Sequence, residues 1–175
     1  TKIRCDYYNI CNFVSVELNV SDYQNDTEEK FVIIGNGAAG FNAAKEIRSR
    51  NKTCSITMIA KEPYISYNRP MLTKTLLAGV SAKQLVIEKQ GWYEENNINV
   101  MLNEEVKSID SAKKEIAWAS GGTIAYDKCI YALGAECFVP PIKGADKPEV
   151  ITIRNIADAE KVRKLLKTAK NAVVI

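Results

Sequence analysis

The chain has 175 residues, 46% of them hydrophobic and 26% charged, a composition typical of a globular protein long enough to build a substantial core. Its formal net charge of +3 is spread along the chain, so no basic cluster indicates binding to nucleic acid or to a membrane surface. Because the sequence contains no histidine, a histidine-based catalytic triad and a histidine-ligated metal site are both excluded.

The five cysteines are an odd number at irregular spacings, which fits a reducing compartment better than a disulfide scaffold. No apolar stretch approaches the length of a transmembrane helix, and the N-terminus lacks the apolar core of a secretory signal. We therefore expect a cytoplasmic protein. Cys5 and Cys11 suggest a metal knuckle, but no second pair stands nearby. Small apolar side chains are the favoured interpretation, and no metal site is predicted.

Residues 1–29 differ from the rest of the chain, since they hold two basic residues against six acidic ones, a formal charge of −4. Within them Val14, Val16, Leu18 and Val20 alternate with polar residues, the pattern of a half-buried strand. We interpret residues 1–29 as an N-terminal extension that is packed on the main fold or tethered to it.

The most informative stretch runs from Phe31 to Gly40. A short apolar segment leads directly into Gly35-x-Gly37-x-x-Gly40 and then into a helical pattern, which is typical of a dinucleotide-binding turn. In such a turn the first glycine makes the bend, the second admits the pyrophosphate to the backbone, and the third lets the helix pack against its strand. The free N–H groups at the start of the helix then face the anion.

The residues after the motif complete a βαβ unit. Small or apolar residues recur at helical spacing from Gly40 to Ile47, with Arg48 off this stripe, and Ser55 to Ile59 form a second parallel strand. Glu62 follows that strand, where a carboxylate accepts hydrogen bonds from the adenosine ribose. A structural glycine turn beside a solvated glutamate remains the alternative.

Further elements are predicted along the rest of the chain. An irregular stretch from Pro63 leads to a helix that begins at Pro70, continues to about Ala78 and is closed by Gly79. The patterns then predict a helix around Trp92, a strand over 96–102, a hairpin over 114–126 and a strand over 129–133. A basic helix follows, with Asp158 in its first turn and Lys170 in its last. Its predicted buried stripe consists of Val162, Leu165, Leu166 and Ala169.

These elements predict an α/β fold, a three-layer doubly wound parallel sheet of the Rossmann-like type with an antiparallel β excursion. Residues 171–175 form an apolar strand without partner elements. We therefore expect the sequence to be part of a longer polypeptide. The predicted organisation is an extension over 1–29, a dinucleotide-binding domain over 30–155, and the start of a second nucleotide-binding domain over 156–175.

Three separated blocks together resemble the two-dinucleotide-binding-domain flavoproteins, the pyridine nucleotide-disulfide oxidoreductase superfamily. They are the glycine motif with Glu62, the segment Tyr-Asn-Arg-Pro-Met-Leu-Thr-Lys over 67–74, and the segment Thr-Ile-Ala-Tyr-Asp-Lys-Cys-Ile-Tyr-Ala-Leu-Gly over 123–134. The similarity covers residues 30–175. Within the superfamily the chain looks most like NAD(P)H:rubredoxin and ferredoxin reductases and the N-terminal flavin part of nitrite reductase large subunits.

The resemblance implies that residues 30–155 bind FAD and that NAD(P)H binds a second glycine motif just beyond Ile175. Glu62 would hold the adenosine ribose, and the backbone of Val106 would bond to adenine. The pyrophosphate would lie against the glycine loop, formed by Gly35, Asn36, Gly37, Ala38, Ala39 and Gly40.

On the flavin side, the resemblance places Arg69 and Pro70 along the diphosphate, where a guanidinium suits phosphate oxygens. Lys74 would lie close to the isoalloxazine, where a cation stabilises negative charge on the reduced flavin. Ala132 and Gly134 would return the chain beneath the cofactor. Arg69 as a surface ion pair and Lys74 as a solvated helix residue remain alternatives.

Two departures from the family pattern stand out. The usual Ala-Thr-Gly is here Ala132-Leu133-Gly134, which removes a hydroxyl. No cysteine occurs from 55 to 128, where the related disulfide reductases and oxidases carry their redox thiols. A thiol relay is therefore disfavoured. The resemblance then implies an FAD-dependent oxidoreductase that passes electrons from NAD(P)H to a small redox protein such as rubredoxin or ferredoxin, or to a partner reductase centre.

The sequence leaves two alternative functions open. An NADH oxidase or peroxide reductase is disfavoured by the missing cysteine. A flavin-binding interaction module without turnover would use the acidic extension as a partner-binding strand. The sequence predicts no catalytic side chain, and residues 30–175 alone are not expected to catalyse the reaction.

Overall fold

The computed structural model describes residues 26–174. Helices and strands alternate through the first part of this range, and short strands follow. In chain order they are β1 (Lys30–Ile34), α1 (Ala38–Arg50), β2 (Ser55–Ala60), a π-helical turn (Leu72–Leu76), a 3-10 turn (Ala82–Gln84), α2 (Gln90–Glu95), β3 (Ile98–Leu102), β4 (Val106–Asp110), β5 (Glu115–Trp118), β6 (Thr123–Ala125), β7 (Lys128–Tyr131) and α3 (Ile156–Leu165).

The central sheet has four parallel strands in the order β3-β2-β1-β7. Val32 on β1 is paired with Thr57 on one side and with Cys129 on the other. The β1-α1-β2 unit is therefore the βαβ unit that the sequence predicts. A second sheet has three antiparallel strands in the order β4-β5-β6, and the pair β5-β6 confirms the predicted hairpin.

Successive side chains of β1 point to opposite faces of the sheet, and both faces are buried. Ile33 packs with Phe41 of α1 on one face. Val32 and Ile34 pack on the other face with Ile116 of the antiparallel sheet. Each fully buried aliphatic side chain of this kind stabilises the fold by about 1.5–3 kcal/mol. The α/β class is confirmed, and in the described residues the antiparallel sheet covers the face opposite α1.

Arg48 corrects the predicted pattern of α1. The sequence placed it off the buried stripe, but it is only 6% exposed. Its guanidinium lies where the C-terminal ends of α1 and α2 and the start of β2 present carbonyl groups that no helix or strand bond satisfies. It donates hydrogen bonds to the carbonyls of Asn51, Lys52, Cys54, Asn96 and Asn97.

The helix predicted from Pro70 to Ala78 is shorter and wider than expected. It is a π-helical turn over Leu72–Leu76, and Gly79 follows with a positive φ of 102°. Leu72 and Leu76 are buried against Ile156 of α3. The two leucines are four residues apart, so their side chains lie on the same face of the turn, the face that meets α3.

The predicted buried stripe of the basic helix is wrong. α3 ends at Leu165, and Leu165 and Leu166 are 37% and 52% exposed. Ile156 and Ala159 are buried instead. A capping box at Asn155 sets where the helix begins. Its first turn packs against the π-helical turn, whereas Leu165 and Leu166 at its other end are exposed.

Residues 171–174 add little to the fold. Residues 171–174 form no strand, since nothing in the described part of the chain pairs with them, and Val173 and Val174 are exposed. The strand predicted around Val14 to Val20 lies outside the described residues. Of the helices between 26 and 174, none has both the length and the apolarity that a membrane crossing needs.

Candidate functional site

The glycine loop lies where β1 ends and α1 begins, at the carboxyl edge of the parallel sheet. Gly35 has φ 101°, a conformation that L side chains rarely adopt, and its N–H donates to the Ile59 carbonyl at 2.8 Å. A Cβ added there would lie 2.4 Å from the Ala132 carbonyl oxygen. Gly35 therefore makes the predicted tight turn after β1, and this turn lies between the ends of the neighbouring strands β2 and β7.

Gly40 has the predicted packing role. A Cβ at this position would lie 2.0 Å from the Gly35 carbonyl oxygen and 3.3 Å from the Ile33 side chain. Only a residue without a side chain lets α1 approach the turn this closely.

Gly37 differs from both because it faces open space. An added Cβ would meet only Nε of Arg69 among the described residues, at 3.9 Å. Gly37 is also the N-cap of α1, and it supplies no capping side chain. Ala38 and Ala39 are exposed, and the first turn of α1 carries no acidic residue. The start of α1 therefore presents free N–H groups and positive dipole charge to an approaching anion.

Asn36 is buried and supports the loop from behind. Its Nδ2 donates to the Tyr64 carbonyl at 2.7 Å, which joins the glycine loop to the segment after β2. The side chain therefore positions the loop and does not point to solvent.

Glu62, Tyr67 and Arg69 form one cluster beside this loop. Oε1 of Glu62 accepts from Nη2 of Arg69 at 2.5 Å, and Oε2 accepts from the Tyr67 hydroxyl at 2.6 Å. The side chains of Glu62 and Arg69 are about a quarter exposed, at 23% and 25%. Arg69 also donates to the Tyr67 hydroxyl and stacks over its ring, with Cζ 5.0 Å from the ring centroid. The predicted ribose carboxylate and the predicted diphosphate arginine are therefore an ion pair next to Gly37.

Tyr67 holds this cluster on the protein core. Its ring is 3% exposed and packs with Leu72, Leu76 and Ile156. Burial, and then the hydrogen bond to Glu62, raise the pKa of the Tyr67 phenol well above its usual value. The hydroxyl therefore stays protonated at neutral pH and remains a donor to the carboxylate.

The end of β7 closes the site on the other side. The Ala132 N–H donates to the Ile34 carbonyl at 2.8 Å, and Gly134 follows with φ 73°. A Cβ at Gly134 would lie 2.7 Å from Nη2 of Arg154, whose carbonyl oxygen accepts from Nη1 of Arg69 at 2.8 Å. Arg154 therefore lies against Gly134 and is hydrogen-bonded to Arg69.

Three predicted residues form no side-chain hydrogen bond or ion pair with this cluster in the described part of the chain. Pro70 and Lys74 are exposed, and Lys74 lies on the π-helical turn without an ion pair in the described part of the chain. Val106 begins β4, is half-buried and pairs with Trp118. Their roles toward a cofactor stay predictions.

The cysteines described lie in two kinds of surroundings. Cys54 packs with the α1 face of the sheet and Cys129 with the opposite face, and burial raises the pKa of both thiols. Cys137 is exposed. Cys5 and Cys11 lie outside the described residues. Between 26 and 174, no group of three potential metal ligands occurs.

A cavity of about 260 Å³ is lined by residues that include Tyr64, Tyr67, Val86 and Leu102. No residue of the glycine loop lines it. This cavity is therefore separate from the space beside Gly37.

The sequence analysis singled out Glu62 and Arg69 but missed Tyr67 and Arg154 as parts of the cluster. The spacing Tyr67-x-Arg69 was the available signal, because both side chains leave the same irregular segment. Arg154 gave no signal, since it meets Arg69 only through the folding of a distant loop.

Comparisons with known proteins identify relatives of the chain. Residues 29–175 match the family described as "Pyridine nucleotide-disulphide oxidoreductase". The chain is 37% identical over 149 residues to nitrite reductase [NAD(P)H] of Bacillus subtilis, covering 85% of this chain and 18% of that protein. It is 36% identical over 146 residues to NADH-rubredoxin oxidoreductase of Clostridium acetobutylicum, covering 83% of this chain and 38% of that protein.

Solved structures give the same result. The crystal structure of NADH:rubredoxin oxidoreductase from Clostridium acetobutylicum superposes with a TM-score of 0.70 at 35% identity, covering 79% of this chain and 36% of that one. A ferredoxin reductase from Rhodopseudomonas palustris superposes with a TM-score of 0.75 at 26% identity, covering 79% and 34%. The chain thus spans less than two-fifths of the length of each of these proteins.

Proposed function

This chain belongs to the pyridine nucleotide-disulphide oxidoreductase family, and we propose that the full-length protein passes electrons from NAD(P)H through FAD to a small redox protein or a partner reductase centre. Members of the family are NAD(P)H-dependent flavoproteins that bind FAD. The relatives named above include reductases of rubredoxin and ferredoxin, which supports an acceptor of that kind.

The open side of Gly37 is the observation that carries the proposal. Gly35 and Gly40 have no room for a side chain, because the protein itself fills the space. Gly37 has room that no described residue uses, at the positive end of α1 and beside the Arg69 guanidinium. Such a place fits a diphosphate, and Glu62 at the end of β2 fits the neighbouring ribose.

When bound, FAD supplies the redox chemistry, since it accepts a hydride from NAD(P)H and gives up electrons to an acceptor. The residues of this chain would bind and orient it. The N–H groups at the start of α1 and the Arg69 guanidinium would face the diphosphate, and Glu62 would accept hydrogen bonds from the ribose. Val106, Lys74 and the segment around Ala132 and Gly134 are proposed contacts on the same grounds as in the sequence analysis.

The positions of Cys54 and Cys129 support direct transfer to an external acceptor. Both thiols pack against the parallel sheet with raised pKa values, so neither is suited to form a reactive thiolate. The free thiols of the described residues also support the proposed cytoplasmic location.

The test uses the purified full-length protein. We expect a yellow flavin spectrum, NAD(P)H oxidation with ferricyanide, and faster turnover with rubredoxin or ferredoxin. Absence of bound flavin together with absence of NAD(P)H oxidation would refute the proposal. Oxygen uptake that matches NADH oxidation would indicate an oxidase instead, and bound flavin without turnover would indicate an interaction module.

A further inference from the structure

The Tyr67 hydroxyl forms hydrogen bonds with two side chains of the cluster, those of Glu62 and Arg69. The backbone of Tyr67 is fixed by an antiparallel bridge to Val86. The flanking bonds are Asn68 N–H to the Leu85 carbonyl at 2.8 Å and Ile87 N–H to the Ser66 carbonyl at 2.9 Å. The phenol is therefore held at both ends, by a paired backbone and by a buried ring.

The hydroxyl of Tyr67 restricts how Glu62 can turn. A carboxylate has about four positions for accepting hydrogen bonds. Tyr67 occupies one on Oε2 and Arg69 one on Oε1, at 2.6 and 2.5 Å. The remaining positions are free for a diol such as the two hydroxyls of a ribose. Because the two donors bond to different oxygens and Arg69 also bonds to the Tyr67 hydroxyl, the plane of the carboxylate is fixed before a ligand arrives.

We propose that Tyr67 is a positioning residue that orients the Glu62 carboxylate for the adenosine ribose. The phenol suits this role because it is neutral and leaves the full negative charge on Glu62. Arg69 is less suited, since its guanidinium also reaches Gly37 and is available to a diphosphate. This inference rests on the proposed function, because it takes an adenine dinucleotide as the ligand.

The experiment measures FAD binding to the full-length apoprotein by flavin fluorescence for the wild type, Tyr67→Phe, Glu62→Gln and the double variant. Phenylalanine keeps the ring that packs on Leu72 and Ile156, and thermal unfolding of each variant checks that the fold is kept. Tyr64→Phe is the matched control, because Tyr64 lies beside Tyr67 but its hydroxyl bonds to no residue in the described part of the chain.

We expect Tyr67→Phe to weaken FAD binding about three- to tenfold. The variant loses the hydrogen bond that orients the Glu62 carboxylate, and the effect reaches FAD through Glu62. In the Glu62→Gln background the same change should have an effect of less than about twofold, since the two residues act together. A merely structural tyrosine would give equal losses in both backgrounds, and that result would overturn the inference. A loss with Tyr64→Phe equal to that with Tyr67→Phe would overturn it as well.

A second measurement compares two ligands that lack the flavin. ADP and 2′,3′-dideoxyadenosine 5′-diphosphate compete with FAD, and they differ only in the ribose hydroxyls. The wild type should prefer ADP by about tenfold, and Tyr67→Phe should reduce this preference to about threefold or less. An unchanged preference in Tyr67→Phe would refute the role of Tyr67 while leaving the proposed function intact. A wild type that binds FAD with no measurable affinity would refute the proposed function itself, and the inference with it.

Discussion

Replacing Gly37 and Gly40 by alanine tests whether the proposed ligand requires one glycine of the motif and the fold requires the other. Both belong to the same motif and lie three residues apart. At Gly37 the new Cβ would meet Arg69 at an ordinary contact distance of 3.9 Å, whereas at Gly40 it would lie 2.0 Å from a backbone oxygen. The two changes should therefore affect different measurements.

Gly37→Ala should barely change the stability of the apoprotein. Alanine is a poorer N-cap than glycine by about 0.5–1 kcal/mol, and the less flexible unfolded chain returns about 0.4–1 kcal/mol. The φ of −69° at this position is acceptable for alanine. FAD binding should weaken about ten- to a hundredfold, because the methyl group takes the space of the diphosphate at a cost of about 1–3 kcal/mol.

Gly40→Ala should mainly destabilise the fold. The added Cβ would clash with the Gly35 backbone, which cannot change rotamer as a side chain could. We therefore expect the free energy of unfolding to fall by at least about 2 kcal/mol, even though alanine has the better helix propensity. In a domain of about 150–250 residues, a loss of about 2 kcal/mol lowers Tm by about 4–8 °C.

Thermal unfolding of the apoproteins and FAD titration by flavin fluorescence measure both quantities on the full-length protein. If Gly37→Ala bound FAD as tightly as the wild type, the open side of Gly37 would not be the diphosphate site. If Gly40→Ala kept the Tm of the wild type, the close packing of α1 on the turn would be wrong.

Three further outcomes are expected. Glu62→Ala should weaken FAD binding by about one to two orders of magnitude, since hydrogen bonds to a charged group contribute about 1.5–3 kcal/mol. Arg48→Met should destabilise the protein by about 3 kcal/mol in chemical unfolding, because it leaves buried carbonyls without donors. Iodoacetamide should label Cys137 rapidly and Cys54 only after unfolding, as followed by peptide mass spectrometry. Labelling of Cys129 in the folded protein should require a higher pH than in the unfolded chain, because burial raises its pKa and so keeps the unreactive thiol form over a wider pH range.

Matched variants sharpen two of these measurements. Glu94 is an exposed carboxylate of α2, so Glu94→Ala should leave FAD affinity unchanged, and an equal loss in both variants would contradict the ribose assignment. Arg50 lies on the same helix as Arg48 but pairs with Glu46 at the surface, so Arg50→Met should cost less than about 1 kcal/mol. Equal costs for the two arginines would contradict the structural role of Arg48.

Local signals were enough for the first half of the fold. The apolar run of β1, the glycine turn and the helical stripe of α1 lie next to one another in the sequence, so their geometry follows from neighbouring residues. The hairpin β5-β6 was found for the same reason, since a glycine turn joins two alternating segments. Periodicity failed for α3, because which face is buried depends on Leu72 and Leu76 far away in the chain.

The sequence by itself determined that a glycine turn joins the first strand to its helix and that a carboxylate follows the second strand, because short-range spacing and backbone sterics decide both. Only the tertiary structure decided that Glu62 is held between Tyr67 and Arg69, that Gly37 alone of the three motif glycines faces open space, and that Arg48 is buried. These features arise where separate segments meet, and their energies come from contacts and hydrogen bonds that no local pattern records.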